Sequence, residues 1–142
     1  MISDRAAKGG EMEIVGVGSG IVECLRIGAM IERHGELFLQ RVYTEREIRY
    51  CHSRRRAIEQ FAAHWAAKEA VMKALATGRV EGVSWSDVEI RVGPRGRPVV
   101  MVGGPAKDVI RSRKVGDVLV SMAHCRTYAT AHATAIARPS GA

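Results

Sequence analysis

The sequence predicts an α+β fold in which helices fill the first half and antiparallel strands the second. Three observations carry that prediction. Apolar residues at 3–4 spacing over 54–76 mark one long helix. Val88, Ile90 and Val92 alternate with Glu89 and Arg91, and the turn Gly93-Pro94-Arg95-Gly96 leads into an apolar run at 98–102, which makes a hairpin. Two further apolar segments, 117–123 and 128–137, flank the short connection His124-Cys125-Arg126-Thr127. Segregated helices and strands place the chain in the α+β class. Its 142 residues suit one domain, spanning 12–137, between a polar, Gly-rich tail at 1–11 and a short tail at 138–142.

In chain order, residues 13–17 read as a strand that runs into a glycine turn at Gly16, Gly18 and Gly20. A phosphate could sit against such a turn, but Ile21 stands where the dinucleotide fingerprint needs its third glycine, and there is no Walker lysine. A tight strand-to-helix turn is the simpler expectation. Residues 21–34 then read as a helix with Ile21, Val22, Leu25, Met30 and Ile31 on its apolar side and Gly35 as C-cap. Thr44 and Glu47 form a capping-box pattern that opens a short helix over 45–51. Ser53 can cap the long helix at 54–76, whose stripe is Ile58, Phe61, Ala62, Trp65, Met72 and Leu75, with Gly78 as its stop. A short helix over 105–114 separates the hairpin from the last two strands.

The formal charge is +7, from 22 basic and 15 acidic residues. A positive field favours a nucleic acid, a phosphorylated small molecule or an acidic protein. A nucleic-acid module is disfavoured, because the chain shows no aromatic stacking platform and no recognition motif. Cys24, Cys51 and Cys125 form no Cys-x-x-Cys pair, and residues 1–10 carry no apolar signal segment. Reduced thiols and a cytoplasmic setting are expected. No apolar run approaches the length of a bilayer span, so no membrane partner is expected.

The long helix carries the most informative anomaly. Its stripe should continue at position 69, which is Glu. A carboxylate there is costly unless it is paired, hydrogen-bonded or metal-bound. Lys73 lies one turn on, in the favourable Glu-to-Lys order. One reading is an ordinary helix ion pair; the other is a metal-binding carboxylate beside a lysine that handles phosphate. Lys68 points about 100° round the helix from Glu69. His124 and Cys125 are adjacent in a strand and face opposite ways, which makes them poor co-ligands. The run Arg54-Arg55-Arg56 opposes the helix dipole and slightly favours an anionic partner.

Several segments in order resemble one family. They are Gly16-x-Gly18, Ile-Val-Glu at 21–23 with Arg26-Ile27, FLQRVYT at 38–44 with Glu47, FAAHWAAKEAVMKALATG at 61–78, Ser84-Trp85-x-Asp87-Val88, Gly96-x-Pro98, and Ser121-Met122-Ala123-His124 followed by Tyr128-Ala129. Over residues 12–137 the chain resembles the holo-acyl-carrier-protein synthases of the phosphopantetheinyl transferase superfamily, which implies a long helix packed on a curved antiparallel sheet. The resemblance implies transfer of 4′-phosphopantetheine from coenzyme A to a serine of an acidic acyl carrier protein, with magnesium, by a homotrimer whose sites lie between subunits. It implies Glu69 as metal carboxylate and Lys73 as the CoA-phosphate lysine that can protonate the leaving 3′,5′-ADP. His124 would lie on a closing hairpin near CoA. Lys68, His64 and Gly78 would also border CoA, and Arg26 and Arg33 would meet the carrier protein. The departures are Gly20 where the family has its first metal carboxylate, His64 where it has arginine, and Leu119 where it has histidine. Glu23 is expected to reach toward the Gly20 position through a water. The second reading is a degenerate paralogue that binds CoA or carrier protein but transfers poorly because of Gly20.

Overall fold

The computed structural model describes residues 12–76 and 82–139. The order is β1 (Ile14–Glu23), α1 (Cys24–His34), α2 (Glu36–Val42), α3 (Glu45–Ser53), α4 (Ala57–Ala74), β2 (Val88–Val92), β3 (Pro98–Val102), α5 (Ala106–Ser112), β4 (Val115–His124) and β5 (Tyr128–Ala137). β1, β5 and β4 form an antiparallel sheet in that order, and β2 pairs with β3 as a separate hairpin. The α+β expectation therefore holds.

The long helix α4 lies across one face of the larger sheet. Small side chains make this possible. On β5 the buried residues are Ala129, Ala131, Ala133 and Ala135. On β1 the residues beneath the helix are the three glycines. A Cβ at Gly16, Gly18 or Gly20 would lie 2.1, 2.1 or 2.3 Å from the backbone oxygen of Ala74, Ala70 or Ala66 respectively. Two strand residues advance about 6.6 Å and four helix residues about 6 Å. Alternate glycines thus meet the alanines at every fourth position of a helix running the opposite way.

This overturns the expected glycine turn. The strand does not stop at Val17 but continues to Glu23, and helix α1 begins at Cys24 rather than at residue 21. Ile21 is 65% exposed and Val22 7%, the alternation of a strand rather than a helical stripe. Leu25, also expected on the apolar side of α1, faces outward.

The other expectations held in part. The capping box opens α3: Glu47 N–H donates to Thr44 Oγ1 at 3.2 Å, and Thr44 N–H to Glu47 Oε1 at 2.8 Å. Gly35 ends α1 at φ 53°, its N–H donating to Ile31 O at 2.7 Å. Gly35 also opens α2, a short helix that is not among the elements expected from the sequence. Ser53 is the last residue of α3, not a cap of α4. α4 is shorter than expected and Ile58 is 45% exposed, so the stripe begins at Phe61. Its expected stop, Gly78, lies outside the described residues. Among the described residues no helix is long and apolar enough to cross a membrane.

Candidate active site

Glu69 leaves α4 beside β1, with its side chain 26% exposed. Its Oε1 is 3.9 Å from Lys73 Nζ, and that ammonium also donates to Ser19 O at 3.1 Å. The vacant Cβ position of Gly20 is 3.0 Å from the same Glu69 oxygen. Helix geometry brings the first pair together, since residues four apart share a face. Close packing of β1 on α4 adds the strand. The result is a partly exposed carboxylate and an ammonium at the edge of the α4–β1 contact, suited to meeting a phosphorylated group.

His124 ends β4 and faces α4 further back. Its Nδ1 lies 3.0 Å from Glu59 Oε1, and Arg56 Nη1 lies 3.7 Å from the other oxygen of that carboxylate. Glu59 is separated from Glu69 by about 15 Å along α4 at about 1.5 Å per residue. One chain therefore does not bring His124 onto the Glu69 and Lys73 pair.

Two of the residues expected at a CoA site are interior. Lys68 is fully buried, donating to Glu47 Oε1 at 2.7 Å and to Val88 O. Glu47 also accepts from Ile90 N–H at 2.9 Å through its other oxygen. Burial lowers the Lys68 ammonium below its ordinary range, and the Glu47 carboxylate works against that fall. The expected CoA contact of Lys68 is corrected: the side chain ties α4 to α3 and β2. His64 is corrected in the same way. It is fully buried, with Nδ1 3.0 Å from Gln60 O and its ring against Tyr50. Burial pushes its imidazole below the usual value.

Glu23 does not approach Gly20. The two are three residues apart on a strand, so their side-chain directions are opposite and the expected water bridge has no path. Arg26 and Arg33 are exposed along α1, with Leu25 between β1 and Arg26. The three cysteines are free thiols, with Cys24 and Cys51 buried and Cys125 exposed.

Three participants escaped the sequence reading: Glu47 as partner of Lys68, Glu59 as partner of His124, and the Ser19 carbonyl as acceptor for Lys73. The Glu47 capping pattern was visible, but its second use was not. The other two pairings join residues far apart in sequence and left no local signal.

Comparison with known proteins supplies the frame for this geometry. A sequence model of the 4′-phosphopantetheinyl transferase superfamily matches residues 16–133. A holo-[acyl-carrier-protein] synthase from Rhodopirellula baltica is 45% identical over 121 residues, covering 85% of this chain and 96% of that one. The enzyme of the same name from Koribacter versatilis is 46% identical over 118 residues, covering 83% and 94%. The fold is similar to the crystal structure of the Neisseria meningitidis holo-[acyl-carrier-protein] synthase, with a TM-score of 0.78, 28% identity and coverage of 87% and 98%. It is also similar to that from Bacillus anthracis, solved in complex with CoA (3′,5′-ADP), with a TM-score of 0.72, 31% identity and coverage of 88% and 98%. Sequence, fold and order of motifs agree, and the chain belongs to the 4′-phosphopantetheinyl transferase superfamily, among its holo-[acyl-carrier-protein] synthases.

Proposed function

We propose that this enzyme transfers the 4′-phosphopantetheine group of coenzyme A to a serine of an apo-acyl carrier protein, giving holo-carrier protein and 3′,5′-ADP. The observation that carries the reading is the Glu69, Lys73 and β1 constellation in a chain whose relatives bear the name of that enzyme. A solved relative in complex with CoA (3′,5′-ADP) supports CoA as the donor. The comparisons give no support to the degenerate-paralogue reading.

Magnesium is implied by the family resemblance. A hard divalent ion asks for about six oxygen ligands. Around Glu69 the chain offers one carboxylate with a lysine beside it, and no cluster of three His, Cys, Asp or Glu occurs among the described residues. Alone, that donor set does not hold a resident ion, because magnesium bound by so few carboxylates completes its shell with water and substrate phosphates; the chain's own groups act as follows.

The carrier serine hydroxyl gives its proton to Glu69, and its oxygen forms the new bond to the β-phosphorus of CoA. The bond from that phosphorus to the bridging oxygen breaks. Lys73 neutralises, and can protonate, the phosphate leaving as 3′,5′-ADP. His124, oriented by Glu59, contacts CoA from the end of β4. Arg26 and Arg33 attract the acidic carrier protein through the positive field of the chain.

Homotrimeric assembly belongs to the same proposal. The sheet face turned away from α4 exposes Val17, Ile21, Leu119 and Tyr128. Since His124 lies far from Glu69 within one chain, a neighbouring copy would bring the two halves together. A cytoplasmic setting and service to fatty-acid synthesis accord with three free thiols and a carrier-protein acceptor.

The test is intact-mass spectrometry of a purified apo-carrier protein incubated with the enzyme and CoA. The expected result is the mass gain of one phosphopantetheine on the acceptor serine, absent when that serine is alanine. A carrier whose mass never changes, across acyl and peptidyl types, contradicts the proposal.

A further inference from the structure

Among the described residues no cluster of three His, Cys, Asp or Glu that could hold a metal surrounds Glu69, and the Ser19 carbonyl oxygen beside it is bonded to Lys73. On β5 the residues facing α4 are alanines, and on β4 they are Val118, Val120 and Met122. On β1 the facing residues are Gly16, Gly18 and Gly20, while Ser19 and Ile21 turn to the other face. Lys68, next to Glu69 on α4, is consumed in the interior by Glu47.

Two distances say what occupies the place instead. Lys73 Nζ stands 3.9 Å from Glu69 Oε1 and 3.1 Å from Ser19 O. The ammonium thus lies between the carboxylate and the strand. A divalent ion bound to Glu69 at about 2 Å would face that positive charge at close range. Nor can a carboxylate be added at position 20 in this packing. Its Cβ would lie 2.3 Å from Ala66 O, a backbone atom with no freedom to move aside.

We infer that this chain has no divalent-metal seat of its own, that the Lys73 ammonium is the cation held by Glu69 and β1, and that CoA binds to it without metal. The inference rests on the transferase reading and refines it. Lys73 supplies the charge that meets the CoA pyrophosphate. Any divalent ion that takes part enters on that pyrophosphate, so its apparent affinity follows that of CoA.

Calorimetric titration of CoA into the full chain, in EDTA and again in Mg²⁺, tests this, together with a Mn²⁺ titration of the CoA-free chain followed by electron paramagnetic resonance. The CoA dissociation constant should change by less than about threefold between the two buffers. The CoA-free chain should bind no Mn²⁺ more tightly than about 1 mM. CoA binding that requires Mg²⁺, or a stoichiometric Mn²⁺ site tighter than that, overturns the inference while leaving the transferase reading intact. Failure to bind CoA in either buffer overturns the transferase reading and the inference with it. Lys73→Gln should weaken CoA binding in EDTA by about tenfold or more, and unchanged affinity contradicts the inference. Gly20→Asp and Gly20→Ala should lower Tm alike, with no Mn²⁺ site gained by the former. A well-folded Gly20→Asp chain that binds Mn²⁺ shows that the space was open after all.

Discussion

Lys68 and Glu47 show how one residue type can mislead a sequence reading. In sequence, Lys68 is one of 22 basic residues and sits beside Glu69. In the fold it is fully buried with all its bonds directed inward. Removing one partner of such a pair leaves a buried charge, which costs about 3–5 kcal/mol. Lys68→Met should therefore lower stability in urea denaturation by about that amount, and Glu47→Gln added to it should recover part of the loss. A loss below about 1 kcal/mol would contradict the structural role. His64 gives a pH prediction. Burial holds its folded-state value below the 6.5 of an unfolded histidine. Below that pH the unfolded chain binds more protons than the folded one, so stability is present above about pH 6.5 and is lost as pH falls. Urea midpoints at about pH 7.5 and 5.5 should diverge for the wild type and converge for His64→Phe. Equal pH sensitivity in the two proteins contradicts this. Neither burial was legible beforehand, because each depends on contacts from elements remote in sequence. Glu69 was legible, because a carboxylate on an apolar stripe violates a local rule.

The element that sets the site is β1 packed on α4. Glycine at every second position and alanine at every fourth position bring the two backbones close enough for Lys73 to bond a strand carbonyl. The glycine pattern was visible in the sequence and was assigned to a turn, because glycine signals both turns and close backbone approach. Its period of two was the better guide, and it matches a strand. Helix α2 went unseen for another reason. Its seven residues are too few for periodicity to show, and Gly35 ends one helix while starting the next. Strands β2 to β5 and the long helix were readable from pattern alone. Gly18→Ala tests the packing directly, since its Cβ would lie 2.1 Å from Ala70 O. Overpacking against backbone should cost about 3 kcal/mol, seen as a large drop in Tm or loss of folding. A Tm within a degree or two of wild type would contradict the close approach.

At the scale of the whole molecule, the net charge of +7 and the exposed Arg26 and Arg33 suit an acidic protein partner. Arg26→Glu should lower kcat/KM for the carrier protein by about tenfold at low salt, and raised salt should narrow the gap. A change in the CoA constant alone would contradict a docking role. The exposed sheet face predicts assembly: Leu119→Arg should shift the protein from trimer to monomer in analytical ultracentrifugation, and a wild-type monomer would contradict the proposed assembly. Charge and fold class were legible in the sequence; the separation of His124 from Glu69 was not, because it depends on which end of α4 each strand meets. The most direct measurement is the single-turnover rate of phosphopantetheine transfer by Glu69→Gln, with CoA affinity measured on the same protein. The rate should fall at least about a hundredfold below wild type, with CoA affinity within about threefold. A rate equal to wild type would contradict it.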